Sequence, residues 1–343
     1  MTKPLDFWKS RGFFLTLMKG VYAMEKKQIA AIAVGALAGV GVGAAAVSCG
    51  ASKAMTDLAM DRKIPAYGKY INVTGGQKDE AYNARRIRAM EELEALPRED
   101  VAIQSADGLN LVGHLIKSRY PRRLIIAFHG WRSGWSRDFC MVAPFWLEQH
   151  CNILFVEQRA QGNSQGDYIG FGLLERSDCR QWAMWAEEQK FGLPIYLAGI
   201  SMGASTVLMA AGDEHLPANV AGVIADCGFT SAKAEWQYVS EKNLRVGYKR
   251  RSSHVDKLCR KKIKLKSDDY STLDAMKKCH VPVLFIHGAD DTFVPVRMTM
   301  ENYAACQGQK RLLIVPGANH GMSYFYDREG YESALRQFFR EYG

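Results

Sequence analysis

Three residue types that together turn a hydroxyl into a nucleophile occur in this chain in the order serine, aspartate, histidine. Ser201 lies in Gly199-Ile200-Ser201-Met202-Gly203, after the apolar run Ile195 to Ala198 and before the helix-prone stretch Ala204 to Ala211. A G-x-S-x-G between a strand and a helix reads as a nucleophile elbow, a tight turn that lifts the serine hydroxyl above a sheet. A serine is a poor nucleophile at neutral pH, so it needs a base, and the base needs a carboxylate to orient it. His320, in Pro316-Gly317-Ala318-Asn319-His320-Gly321, follows the apolar run Leu312 to Val315 and is the candidate base. Asp290 and Asp291, after Phe285-Ile286-His287-Gly288, are candidate acids. Asp226, ending another apolar run, is the rival acid; its simpler role is to cap the loop that follows. An acyl-transfer site also needs donors for the oxyanion of its tetrahedral intermediate. The backbone N–H of Met202, beside the nucleophile at a helix start, is one candidate. The N–H of Trp131, in the loop Phe128-His129-Gly130-Trp131 after an early strand, is the other.

These residues need a scaffold, and the hydrophobic pattern supplies one. Period-two alternation on either side of Ala106-Asp107-Gly108 predicts a β-hairpin over residues 101–115. Buried-strand runs then follow at Leu124 to Phe128, Ile153 to Val156, Ile195 to Ala198, Val220 to Ala225, Val283 to Ile286 and Leu312 to Val315. Helical stretches near 138–149, 173–190, 202–212, 297–306 and 329–341 alternate with them, which predicts a mostly parallel sheet with helices on both faces. Residues 232–280 interrupt the rhythm with no clear buried strand. They are expected to form a helical cap over the carboxyl end of the sheet, where open α/β folds bind ligands. The cap carries Lys249-Arg250-Arg251 and a basic run over 260–266, either a solvated surface or a surface facing anionic lipid or substrate.

With 343 residues, 48% hydrophobic, the chain can bury a large core. A net charge of +9 admits acidic partners, but no motif has the spacing that nucleic-acid binding requires. The eight cysteines are scattered, with no C-x-x-C pair and no Cys/His cluster at zinc spacing, so they read as buried free thiols and no metal or cofactor is expected. Residues 28–48 carry no charge and are about long enough to cross a bilayer as a helix. Lys3, Lys9, Arg11, Lys19, Lys26 and Lys27 precede them, which places residues 1–27 as a cytoplasmic tail and the large domain outside. Alternatively, Met24 starts the chain and Ala46-Val47-Ser48-Cys49 is a bacterial lipoprotein signal, with Cys49 lipidated. Residues 49–98 read as a stalk or linker containing an amphipathic helix.

Residues 99–343 resemble the α/β-hydrolase superfamily, in the branch with serine-aminopeptidase-like and acyl-esterase-like members. The resemblance is carried by His129-Gly130-Trp131, Gln158 to Ser164, Gly199 to Gly203, Ala225 to Thr230, His287 to Pro295 and Asn319-His320-Gly321. It implies an α/β-hydrolase fold and a Ser201, Asp291, His320 triad, with Asp291 taken over Asp290 by its distance from Phe293-Val294-Pro295. Gln161-Gly162 departs from the His-Gly usual in the family. The activity expected is cleavage of an ester or thioester of a small-molecule or lipid-like acyl substrate, by an enzyme held at the membrane. The cap has no acidic cluster to bind a free amine, and no propeller domain is evident, which disfavours a peptidase. An acyltransferase would share every residue named, and a non-catalytic binding protein would need none of them.

Overall fold

The computed structural model describes residues 40–66, 68 and 80–343. The described residues open with α1 (Val40–Met60) and α2 (Glu80–Glu94), then enter an eight-stranded sheet through the antiparallel pair β1 (Glu99–Gln104) and β2 (Asn110–Ile116). β3 (Arg123–Phe128) leads through α3 (Trp135–Phe139) and α4 (Ala143–Glu148) to β4 (Cys151–Val156), and α5 (Glu175–Glu188) to β5 (Ile195–Ile200). After β5 come α6 (Met202–Ala210) and β6 (Val220–Asp226), followed by the inserted helices α7 (Ala232–Tyr238), α8 (Ser252–Ile263) and α9 (Thr272–Met276). The sheet is completed by β7 (Val283–Gly288), α10 (Val296–Ala305) and β8 (Lys310–Val315), and α11 (Ser323–Tyr326) and α12 (Arg328–Tyr342) close the chain.

The strand order is β1-β2-β4-β3-β5-β6-β7-β8. From β4 onward every pair is parallel. The central strands are largely apolar because both faces are covered: β4 and β7 are buried at all six positions. One core lies under α5, α6 and α9, with Trp182, Leu197 and Phe285 at its centre. The other lies under α2, α3, α4 and α12, with Phe139, Trp146 and Phe338. The expected hairpin, six parallel strands and intervening helices are present, with ends shifted by at most three residues, except that the single helix expected near 138–149 is broken into α3 and α4.

A third apolar cluster sits above the sheet between cap and elbow. It joins Met202, Phe229, Phe293 and Val294 to Trp236, Tyr248, Val255, Cys259 and Ile263 of the insertion. Val255, Cys259 and Ile263 recur every four residues, so α8 lays one apolar stripe on the domain and turns its basic face outward. The helix α9, by contrast, packs into the core beneath α6.

All eight cysteines are free, and all but Cys49 are buried. Of the apolar stretch 28–48, residues 28–39 lie outside the described residues, as does the tail 1–27. Residues 40–48 form the first part of α1. Among the described residues, no helix is long and apolar enough to cross a membrane. The interval expected as a stalk supplies two helices packed on the body. Met60 at the end of α1 is fully buried under the cap, and Leu93 of α2 is buried in the sheet core.

Candidate active site

The elbow explains its own glycines. Ser201 has φ 57° and ψ −118°, a strained conformation for a residue with a side chain, and its N–H donates to Asp226 O at 2.8 Å. A Cβ on Gly203 would lie 1.8 Å from Phe128 O, and one on Gly199 would lie 2.2 Å from Gly203 O. Only glycine lets α6 start this close to β3, which is how the serine is held over the carboxyl ends of the strands.

Ser201, His320 and Asp291 come together. Ser201 Oγ lies 2.9 Å from His320 Nε2, and His320 Nδ1 lies 2.6 Å from Asp291 Oδ2. The other Asp291 oxygen accepts from the N–H groups of Phe293 and Val294 at 2.8 and 2.9 Å. Phe293 meets the His320 ring edge-on, with centroids 5.0 Å apart. Burial alone would raise the Asp291 pKa, but the charge of His320 and hydrogen bonds from His287 and His320 hold it well below the usual carboxylate range. Burial alone would lower His320, yet the charge and hydrogen bond of Asp291 outweigh it and the imidazole is raised. Such a chain can take the serine proton at Nε2 while the carboxylate fixes the tautomer with Nδ1 protonated.

The rival acid is placed elsewhere. The Asp226 carboxyl is buried and accepts from Ser323 Oγ at 3.1 Å, tying the end of β6 to α11 rather than capping the next loop. Burial raises its pKa. Asp290 has its N–H on Ala318 O, within the loop that presents His320.

Among the described residues, the backbone N–H groups of Trp131 and Met202 have no intrachain acceptor, as two oxyanion donors require. The Trp131 loop is pinned from several sides. Gly130 N–H donates to Asp138 Oδ2 at 2.6 Å, and a Cβ on Gly130 would stand 3.3 Å from Ser201 Cβ. Gln161, at the position where the family pattern has histidine, accepts from Arg132 N–H at 2.6 Å. Neighbouring Gln158 donates to His129 O.

Sequence reasoning gave no role to several of these residues. His287 Nε2 lies 3.2 Å from Asp291 Oδ2 and 2.9 Å from Val294 O, and its Nδ1 lies 2.7 Å from Thr299 Oγ1. No sequence spacing signalled this, because His287 lies at the end of β7 and Asp291 in the loop that follows, where an i, i+4 interval has no fixed meaning. Asp138 and Arg132 gave no signal either, because both act on backbone groups. Cys227 Sγ and one atom each of Asp291 and His320 lie within 4.8 Å of one another. Burial holds the Cys227 thiol far above its usual pKa, and the His320 nitrogens already face Ser201 and Asp291, so this cluster is part of the serine site.

The prolyl oligopeptidase family model (Peptidase_S9) matches residues 172–342. This span contains the elbow and the segments bearing Asp291 and His320. The chain belongs to the α/β-hydrolase superfamily. It is a hydrolase of the serine type. It is similar to the uncharacterized protein YqkD of Bacillus subtilis, 29% identical over 72% of this chain and 81% of the relative. It is also similar to Rv2307c of Mycobacterium tuberculosis, 26% identical over 71% of this chain and 79% of the relative. Among solved structures, the hydrolase shares its fold with the esterase Pf2001 of Pyrococcus furiosus (TM-score 0.60, 21% identity, 74% of this chain and 93% of the other). Est1E of Butyrivibrio proteoclasticus, solved with ferulic acid, shares it too (TM-score 0.54, 19% identity, 71% and 98%).

One cap residue of this hydrolase stands apart. Glu235 of α7 is 2% exposed and neither carboxylate oxygen has a hydrogen-bond partner among the described residues. Burial pushes its pKa far above the ordinary value. An acid raised on folding leaves stability intact at low pH and costs stability as pH climbs above its unfolded value, about 4.3. Glu235→Gln is therefore expected to match the parent near pH 4 and to gain on it progressively toward pH 8, by about 1 kcal/mol or more. Urea midpoints at the two pH values check this; a constant difference would contradict it.

Proposed function

We propose that this protein hydrolyses a carboxylic ester or thioester through an acyl-enzyme on Ser201. His320 takes the serine proton and later delivers it to the leaving group. Asp291 holds the imidazole, and the N–H groups of Trp131 and Met202 receive the oxyanion. The observation that carries this reading is the hydrogen-bonded chain from Asp291 through His320 to Ser201, ending on a serine in a strained elbow. Water resolves the acyl-enzyme; an acceptor alcohol or amine would make the same site a transferase.

The substrate is an acyl compound with an apolar body. In support, Met202 and Phe293 flank the nucleophile and continue into Phe171, Phe229 and Trp236 beneath the cap. The ring centroids of Phe171 lie 6.2 Å from Trp131, 6.1 Å from Phe229 and 5.0 Å from Trp236. The fold relatives named as esterases favour an ester over a peptide bond. The apolar stretch 28–48 attaches the enzyme to the membrane, with the catalytic domain on the extracytoplasmic side, as the excess of lysine before it suggests.

A series of p-nitrophenyl esters of increasing acyl length, read beside aminoacyl p-nitroanilides, tests this reading. Turnover of the esters is expected to exceed that of the anilides and to rise from acetyl to medium chains. Preferred cleavage of the anilides would replace the esterase by a peptidase.

A further inference from the structure

The end of α1 is bound by the same loop that offers the second oxyanion donor. The last carbonyls of a helix have no partner within it and must find donors elsewhere. Here Trp131 Nε1 donates to Ala59 O at 2.8 Å, and the Arg132 guanidinium donates to Leu58 O at 2.8 Å and to Asp61 O. Arg132 also reaches Arg62 O at 3.3 Å. Both residues thus cap one helix end, and a cation at a helix carboxyl end is favoured by the macrodipole as well. Arg132 has φ 50°, a left-handed conformation uncommon for arginine, so the loop is bent to make these contacts.

The far side of the helix end is held by the cap. Lys262, with 12% of its side chain exposed, pairs with Asp57 at 3.0 Å and with Asp61, and its ammonium stands 4.8 Å from the Tyr168 ring centroid. Cys259 Sγ lies 3.8 Å from Met60 Sδ. Arg62, just past the helix, donates to Gly162 O at 2.8 Å and to Gly166 O at 3.3 Å, in the loop whose Gln161 fixes Arg132 N–H.

We propose that the carboxyl end of α1, Leu58 to Arg62, is a working part of the oxyanion hole: Arg132 and the Trp131 indole are positioning groups that use its carbonyls to set where the Trp131 N–H points. The helix that begins within the apolar amino-terminal stretch would then couple its own seating to catalysis. This rests on the reading of Trp131 N–H as an oxyanion donor. Deleting a donor of this kind lowers kcat by about 10²–10³-fold, so letting it drift should lower kcat by roughly 10- to 100-fold.

The test uses the full chain with Arg132→Ala, Arg132→Lys and Lys262→Met. A p-nitrophenyl ester gives kcat and KM, and a trifluoromethyl ketone that forms an oxyanion adduct with the serine gives a transition-state-analogue affinity. Arg132→Ala is expected to lose kcat and ketone affinity together, by roughly 10- to 100-fold, with KM within about threefold. Arg132→Lys, which keeps a cation for the helix end, should recover part of both. Lys262→Met touches no residue of the oxyanion loop and should move both values the same way by a smaller factor, and it decides the matter should Arg132→Ala fail to fold. Folded variants with kcat and ketone affinity within twofold of the parent would overturn the proposal, as would a loss confined to KM. Parent enzyme that neither turns over ester nor binds the ketone would instead remove the hydrolase reading beneath it.

Discussion

Ser201→Ala is expected to lower kcat on a p-nitrophenyl ester by about 10⁶-fold, leaving KM within a few-fold, because the residual rate comes only from binding and oxyanion donors. The size follows from the chain in which Ser201 Oγ lies 2.9 Å from His320 Nε2. Without the hydroxyl there is nothing for the imidazole to activate. Cys227 is the control, since it is the buried thiol nearest the triad and its pKa is far too high for it to serve as a thiolate. Cys227→Ala should keep activity within an order of magnitude, and a fluorophosphonate probe should label it but not Ser201→Ala. Equal labelling of Ser201→Ala and parent would exclude this serine as the nucleophile.

Asp291→Asn is the second large effect, on the order of 10⁴ in kcat. An amide donates where a carboxylate accepts, so it would favour the tautomer with the proton on Nε2, where the serine proton must go. The sign of the pH effect follows from the His320 shift. Protonated His320 cannot act as base, and Asp291 raises the imidazole pKa, so the acid limb of kcat/KM in the parent should lie above the ordinary imidazole value of about 6.5. In Asp291→Asn the raising charge is gone while the burial that lowers the pKa remains, and the residual activity should persist to lower pH. Asp226→Asn should change kcat by less than tenfold, since its carboxyl serves Ser323 and not the His320 ring. Were Asp226→Asn the more damaging change, the acid would have to be reassigned.

Much of the scaffold was legible because it rests on local rules. Apolar runs four to six residues long between turn signals gave the parallel strands, and the Asp-Gly turn gave the hairpin. Gly199 and Gly203 marked the elbow, where a Cβ would strike the backbone. The choice of Asp291 over Asp290 came instead from the family resemblance, which implies an acid two residues before Phe293-Val294-Pro295, and the two N–H groups that Asp291 accepts are those of Phe293 and Val294.

What stayed hidden depends on contacts distant in sequence. Asp57, Asp61 and Lys262 read as ordinary surface charges, and a linear pattern cannot reveal that α1 and α8 bring them together. Arg132 read as a loop residue because its partners are backbone carbonyls, which any sequence offers. Glu235 in a cap helix reads as a solvent-facing acid. Only its surroundings show it buried with no hydrogen-bond partner among the described residues, with Ala232 and Trp236 of the same helix packed into the cluster above the elbow.

The central claim is that an acyl group passes through Ser201. Mixing the enzyme with a slowly deacylating aryl ester, quenching in acid and mapping the peptides by mass would test it most directly. The account predicts an acyl adduct on the peptide carrying Gly199 to Gly203, formed within the burst of phenol release and missing from Ser201→Ala. Turnover of the ester with no adduct at any time, or with the adduct on another residue, would contradict it.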